Sequence, residues 1–383
     1  VENFMKPERD TRDLAILADS HTNRDLLWAT GFSVGDPVPY FEARGRKYLV
    51  LSDLEIGRAR KQAKVHGVLP LSKYLKRLKR RGVERPGLAD VLVEVLTERR
   101  VKAVRVPHDF PVFAADRLRK AKVKVTPCLP PFFPARAVKT ETEIAAIRDA
   151  AARTVAAMRE GIDLIRRSKP VRGILRLDGD PLTSERVRSA IEIGGLLRGL
   201  TPTETIVAGG EQAVDPHDCG SGPLRAGFPI VLDVFPRDTL TGYHADITRT
   251  VFRGRPSPKV RALYDAVREA HAAAMGEVRA GVPAKEVHQA VLDVFKARGM
   301  KTGPDGKGGM QGFFHGTGHG LGLSVHEAPR VGAIEEPLVE NAVITIEPGL
   351  YYPGLGGVRH EDDVAVRADG AENLVDFEID FVV

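Results

Sequence analysis

The sequence predicts a two-domain protein of mixed α/β class (α+β overall). Three observations carry that expectation. The 383 residues exceed what a single core usually holds. The first third alternates strand-like and helix-like stretches. A proline-rich break at 126–134 is followed at once by a helix-start signal.

Taken in order, Leu14 to Leu17 and Tyr48 to Leu51 read as buried strands. Arg44, Gly45 and Arg46 form a turn whose simplest reading is a solvated hairpin tip. From Lys73 to Arg81 the chain is strongly basic, yet Tyr74, Leu75 and Leu78 fall at helical intervals, which predicts a solvated helix face. Ala89 to Arg100 reads as an amphipathic helix and Ala103 to Val106 as the strand after it, giving an α/β layer with a mostly covered sheet. Four prolines within 126–134 cannot continue a helix or a central strand, so the boundary is set there, with domains at 1–134 and 135–383. Thr140 with Glu143 three residues later is a capping box, and Ile144, Ile147, Ala151 and Val155 share one helical face. Further helices are expected from Pro258 to Ala280 and from Ala284 to Gly299. Val1 to Phe4 precede Met5 and are left out of the fold expectations.

Composition narrows the function classes. Hydrophobic residues at 43% and charged residues at 28% fit a soluble globular chain. No apolar run approaches the roughly 18 residues that span a bilayer, and no secretory leader is evident, so no membrane partner is expected. Cys128 and Cys219 form neither a disulfide framework nor a C-x-x-C site, which points to a reducing cytoplasm. The net charge of +6 divides unevenly: residues 1–137 carry +12 and the remainder −6. A basic half can serve a nucleic-acid-binding module, but no nucleic-acid motif accompanies it.

The chemistry lies in four pieces of the second domain. Ile230 to Phe235 and Tyr243 to Val251 flank a turn-rich link, which predicts a hairpin bringing Asp233 and Asp246 side by side. Two buried carboxylates repel unless a cation lies between them, although an Asp beside a turn is equally well a solvated flank. His315, His319 and His326 lie within twelve residues, interleaved with glycines that permit close backbone approach. The spacing matches no nucleotide-binding loop. Glu347 ends an otherwise apolar strand, and Glu361 opens another. Singly, each could be a strand-end carboxylate. Together, four carboxylates and one imidazole suit Mn²⁺, Co²⁺ or Zn²⁺ in a shared pair better than one structural zinc.

These pieces resemble the pita-bread metallopeptidases, in the branch holding Xaa-Pro dipeptidase (prolidase) and aminopeptidase P. The likeness covers about residues 136–383. It rests on the order Asp, Asp, His, Glu, Glu with H-G-x-G-H-G-x-G-L-x-V-H-E from His315, E-P-G from Glu347 and V-R-x-E-D-D from Val358. It implies a creatinase/prolidase-like N-terminal domain followed by a pita-bread catalytic domain. It also implies two divalent ions, Mn²⁺ first, with Asp233 terminal on one, His319 and Glu347 on the other, and Asp246 and Glu361 bridging. A hydroxide between the ions would attack the scissile carbonyl while Glu347 shuttles the proton. His326 and Arg359 would steady the carbonyl and oxyanion, and His217 and His315 would contact the leaving residue.

The implied substrate is a proline-containing dipeptide, with longer peptides (aminopeptidase P) as the alternative and a homodimer as the assembly. A methionine aminopeptidase would share the ligands but typically lacks a front domain of this size. Creatinase shares the plan without the ligands, and metal-free relatives act as binding modules. One departure stands out. The family commonly has a step of eleven between the two Asp residues and a Gly two after the first; here the step is thirteen and Phe235 replaces that Gly. Two extra residues preserve strand parity, which predicts a longer tip with both carboxylates still on one face.

Overall fold

The computed structural model describes residues 13–383; Val1 to Phe4 lie outside that range. The chain divides into two compact units, Val1–Pro134 and Ala135–Val383.

The N-terminal unit is a six-stranded mixed sheet with helices packed on it. Its strands are β1 (Leu14–Ala18), β2 (Val38–Ala43), β3 (Arg46–Leu51), β4 (Gly67–Pro70), β5 (Ala103–Pro107) and β6 (Lys124–Cys128), in the order β4-β3-β2-β1-β5-β6. β1, β2 and β3 are antiparallel neighbours, whereas β4, β5 and β6 pair in parallel. The β2–β3 turn takes a left-handed backbone at Arg44 and Gly45 (φ 52° and 75°), as a tight two-residue hairpin requires. Alternation splits the sheet residues between two cores: Ala15, Phe41 and Val50 pack on one face, Ile16, Tyr40 and Leu49 on the other. The sheet is therefore covered on both faces.

The basic stretch is helix α3 (Leu71–Arg80), after α1 (Arg24–Thr30) and α2 (Asp53–Gln62). α3 buries Tyr74 and Leu78 and sends its arginines outward. Arg77 pairs with Glu98 at 2.6 Å and Arg81 with Glu94 at 2.8 Å, both acids from α4 (Leu88–Glu98). Positive charge there is in part spent on neighbouring carboxylates. α5 (Val112–Lys120) completes this unit.

The C-terminal unit opens with the 27-residue helix α6 (Glu141–Arg167). Thr140 Oγ1 accepts from Glu143 N, and the Glu143 carboxylate accepts from Thr140 N, so the predicted capping box forms. α6 and α7 (Ser184–Leu197) back a three-stranded antiparallel sheet, β7 (Ile206–Gly209), β8 (Pro229–Val234) and β9 (Ile247–Phe252), in that order. Ile230, Leu232 and Val234 join the helix-facing core with Ile247 and Val251. The alternate residues Val231, Asp233 and Phe235 therefore face away from the helices.

A second layer repeats this plan. α8 (Pro258–Glu277) and α9 (Ala284–Ala297) back a five-stranded sheet and a hairpin, built from β10 (Gly318–Gly320), β11 (Glu327–Val331), β12 (Val343–Ile346), β13 (Gly349–Tyr352), β14 (Gly356–Arg359), β15 (Asp362–Val366) and β16 (Ala371–Asn373). Five of them run β11-β10-β12-β15-β16, and β13 and β14 form a separate hairpin. Ile344, Ile346, Val364 and Val366 pack with Leu263, Val267, Val291 and Phe295 from the helices. α8 ends at Glu277, short of the predicted Ala280, because Val278 turns extended (ψ 113°).

Candidate metal centre

The predicted hairpin forms and is longer than a plain strand pair. β8 and β9 pair in one register from Pro229 with Phe252 to Val234 with Ile247. The same register continues through a bridge of Arg237 to His244 and closes with Asp238 accepting from Gly242. Asp238 also pairs, through the Arg237–Asp238 segment, with Leu200–Thr201, so the lengthened tip is held by a neighbouring ribbon. Asp233 lies opposite Thr248, and Asp246 falls two residues before Thr248, just ahead of the regular strand. Parity is preserved, and the two carboxylates are diagonal neighbours on one face. Phe235 packs with Ile206, Ala208, Ala213 and Val231.

The glycine-rich motif supplies the histidine. A Cβ on Gly318 would fall 1.8 Å from the Thr345 carbonyl oxygen, and one on Gly320 would fall 2.3 Å from that of Ala328. Only glycine lets β10 pass between its neighbours here. His319, between them, is buried. Its Nδ1 lies 3.2 Å from the Gly320 carbonyl, which assigns the proton to Nδ1 and leaves the Nε2 lone pair free. That Nε2 lies 3.7 Å from Asp246 Oδ2 and 3.6 Å from Glu347 Oε1.

Glu361 completes the cluster. It precedes β15, bridges to Thr248 through the backbone and accepts from Thr248 Oγ1 at 2.6 Å. Ligand atoms of Asp246, His319 and Glu361 all lie within 4.8 Å of one another. Asp233 Oδ2 accepts from Arg359 Nη2 at 2.6 Å, while its Oδ1 is buried without a hydrogen-bond partner. A buried carboxylate oxygen left unsatisfied is costly and is the expected mark of an absent cation.

Electrostatics give the same result. Burial raises the Asp246 carboxyl well above its ordinary range, and the charges of Glu361 and Asp233 add to it. Burial likewise lifts Glu361, with Glu347 and Asp233 next, and lifts Glu347 to about 8. Burial lowers His319 to about 3, helped by His326. The acids resist ionising together and the imidazole resists protonation. Divalent cations remove both conflicts at once, so the donor set fits metal.

The remaining predicted residues surround this cluster. Arg359, fully enclosed, donates Nη1 to the Tyr351 hydroxyl at 2.9 Å and Nε to Thr248 Oγ1 at 3.2 Å, besides its bond to Asp233. His315 Nε2 lies 3.0 Å from the same Tyr351 hydroxyl. Burial, then the positive Arg359, pushes His315 down to about 4. The His326 ring stands nearly perpendicular to His319 with centroids 4.3 Å apart, and it is exposed. His217 sits in an exposed loop whose Asp215 side chain accepts from His217 N at 2.9 Å.

Several supporting residues escaped the sequence reading. Thr248 holds Glu361, Asp363 accepts from Asp246 N at 3.2 and 3.1 Å, and Tyr351 joins Arg359 to His315. Glu327 takes Arg136 at 2.6 Å and Lys139 at 2.9 Å, which fixes the residue after His326. Thr248 was readable, since two residues after Asp246 on a strand is the same face. Tyr351 and Glu327 act through contacts remote in sequence, which no local pattern reports.

The model of metallopeptidase family M24 matches residues 145–368, more than half of the chain. This chain belongs to metallopeptidase family M24. Among curated members, it is 37% identical to the Xaa-Pro dipeptidase of Pyrococcus furiosus over 177 residues, 46% of this chain and 48% of that one. It is 34% identical to that of Pyrococcus horikoshii over 181 residues, 47% of this chain and 48% of that one. The chain thus spans about half the length of these two curated relatives. Among solved structures, the X-Pro aminopeptidase of Thermotoga maritima superposes with a TM-score of 0.79 at 25% identity, covering 97% of each chain. The family match falls within the C-terminal unit, whose paired helix-backed sheets are the pita-bread domain; an N-terminal domain precedes it.

Proposed function

We propose that this family member is a dinuclear metallopeptidase that hydrolyses Xaa-Pro bonds, with an Xaa-Pro dipeptide as its substrate. The observation that carries it is the convergence of Asp246, His319 and Glu361 beside the partnerless oxygen of Asp233. Asp233, Asp246, His319, Glu347 and Glu361 would hold two divalent ions, with Asp246 and Glu361 shared between them. Mn²⁺ is the first choice, and Co²⁺ or Zn²⁺ the alternatives, since four carboxylates to one imidazole is an oxygen-rich set. When bound, such ions supply Lewis acidity and bring the pKa of a water toward neutrality.

The side chains supply the rest. Glu347 takes the proton of the attacking water and delivers it to the leaving nitrogen. In an Xaa-Pro bond that nitrogen is tertiary, so it must gain a proton to leave as an amine. Arg359 and His326 steady the scissile carbonyl and its developing oxyanion. His315 and the exposed His217 contact the leaving proline. The Pyrococcus relatives named Xaa-Pro dipeptidase support the dipeptide reading. The superposition with an X-Pro aminopeptidase favours a second one, cleavage of longer peptides with proline in second position.

Cytoplasmic residence is proposed from the two unpaired cysteines, Cys128 and Cys219. Among the described residues no helix is long and apolar enough to cross a membrane. A homodimer is proposed as the assembly, as the sequence resemblance implies. Initial rates on an Xaa-Pro dipeptide and on the matching Xaa-Pro-Yaa tripeptide test the specificity. Faster dipeptide cleavage is expected. Faster tripeptide cleavage selects the second reading, and cleavage of neither rejects both.

A further inference from the structure

Alternation along residues 360–363 sends side chains to two sides of one segment. Glu361 and Asp363 face Thr248 and Asp246. His360 and Asp362 face the opposite way, toward helix α8 and its buried His271. His271 Nε2 lies 3.3 Å from Asp362 Oδ2, and His360 Nε2 lies 3.8 Å from the same oxygen. Ligand atoms of the three residues all lie within 4.8 Å of one another. The three keep 8%, 3% and 3% of their surface exposed in the order His271, His360, Asp362.

His271 Nε2 is buried and has no hydrogen-bond partner, although the carboxylate is so near. Nitrogen and oxygen at that separation but out of donor–acceptor alignment are spaced as two ligands of one ion. In a tetrahedral zinc site, ligands about 2.0–2.2 Å from the metal stand roughly 3.4 Å apart, and their lone pairs converge on the ion. Asp362 is already oriented from behind: Arg249 Nη2 donates to its Oδ1 at 2.6 Å and Asn373 Nδ2 to its Oδ2 at 3.0 Å.

We propose that His271, His360 and Asp362 form a further metal site, separate from the five-residue centre, that binds a borderline transition-metal ion such as Zn²⁺. Two imidazoles and one carboxylate are a nitrogen-rich set, in contrast to the oxygen-rich centre on the other side of Glu361. Arg268 competes for it, since its Nη1 lies 2.8 Å from His360 Nε2. That arginine is about one-third exposed and its Nη2 also reaches the exposed Glu378 at 3.1 Å, so an ion that takes the imidazole nitrogen leaves it a partner. With Arg249 and Arg268 both adjacent, the site binds more weakly than the five-residue centre and fills after it. Because His360 and Asp362 flank Glu361, an ion there ties that segment to α8.

The test uses the full chain and zinc alone. Crystals equilibrated with excess Zn²⁺ are measured at the zinc absorption edge, and bound zinc per chain is counted after equilibrium dialysis. Expected is an anomalous peak among His271, His360 and Asp362, and three ions per wild-type chain falling to two in His271→Leu and in His360→Leu. No anomalous peak there, or equal zinc counts in wild type and folded variants, overturns the proposal. The crystal measurement needs no variant, so it decides the matter even if both substitutions unfold the chain.

Discussion

In the N-terminal unit Arg77 of helix α3 and Arg81 just after it reach the surface, where they neutralise Glu98 and the buried Glu94 one for one. In the C-terminal unit Asp233, Asp246, Glu361 and Asp363 lie buried beside one another, with Arg359 as the guanidinium against Asp233. In the first arrangement every acid has its own arginine with access to water, and ion pairs that water reaches from one side are worth little. The second is costly to fold unless something offsets the repulsion. The larger basic excess thus marks the less informative half, and a handful of buried acids marks the site.

Substitutions can sharpen or break that contrast, beginning with the largest effect. Glu347→Ala in metal-loaded protein is expected to lower kcat by about 10³-fold or more while the fold persists, as judged by circular dichroism. A near wild-type rate breaks the proton-transfer assignment. Arg359→Met leaves Asp233 without its charge partner and should cost about 3–5 kcal/mol in denaturant unfolding of metal-free protein. Adding Mn²⁺ at a hundred times its Kd should stabilise the fold by about 2.7 kcal/mol per site, read as a rise in Tm, and Asp246→Asn should blunt that rise.

A smaller effect depends on pH. Burial pushes Glu143 up, but hydrogen bonds from Tyr243 and Thr140 outweigh it and hold the carboxyl below its ordinary 4.5. A carboxyl depressed in the folded state adds stability that is full above the ordinary value and lost as pH falls through the depressed one. Tyr243→Phe removes the 2.5 Å bond and should cost about 1 kcal/mol near pH 7, a modest figure because Glu143 is only half-buried. The difference from wild type should shrink steadily below pH 4.5. Arg81→Ala in the N-terminal unit should change stability by less than about 1 kcal/mol, and a larger loss would deny the contrast between the units.

Much of this was legible in the sequence because local rules decide it. The Thr140–Glu143 box starts α6, and helical spacing of Tyr74 and Leu78 identifies the face that α3 buries. The residues that the structure gathers at the candidate centre were recognisable through motif order, since each taken alone has an ordinary structural explanation. The parity of the thirteen-residue step also held, as Asp233 and Asp246 share a face. What could not be read is what the fold brings from elsewhere. Tyr351 is held between His315 and Arg359, Asp363 supports the backbone of Asp246, and the Leu200–Thr201 ribbon braces the long tip. No local pattern sets Asp362 and His360 apart as a pair, because the His271 that meets them comes from α8.

Proline release from an Xaa-Pro dipeptide tests the central claim most directly, measured with Mn²⁺-reconstituted wild type beside equally treated Asp246→Asn. Expected are release by the wild type, its loss on chelation and its recovery when Mn²⁺ is restored, with the variant inactive throughout. Wild-type protein that is folded and metal-loaded but releases no proline would contradict it, as would release that persists unchanged in Asp246→Asn.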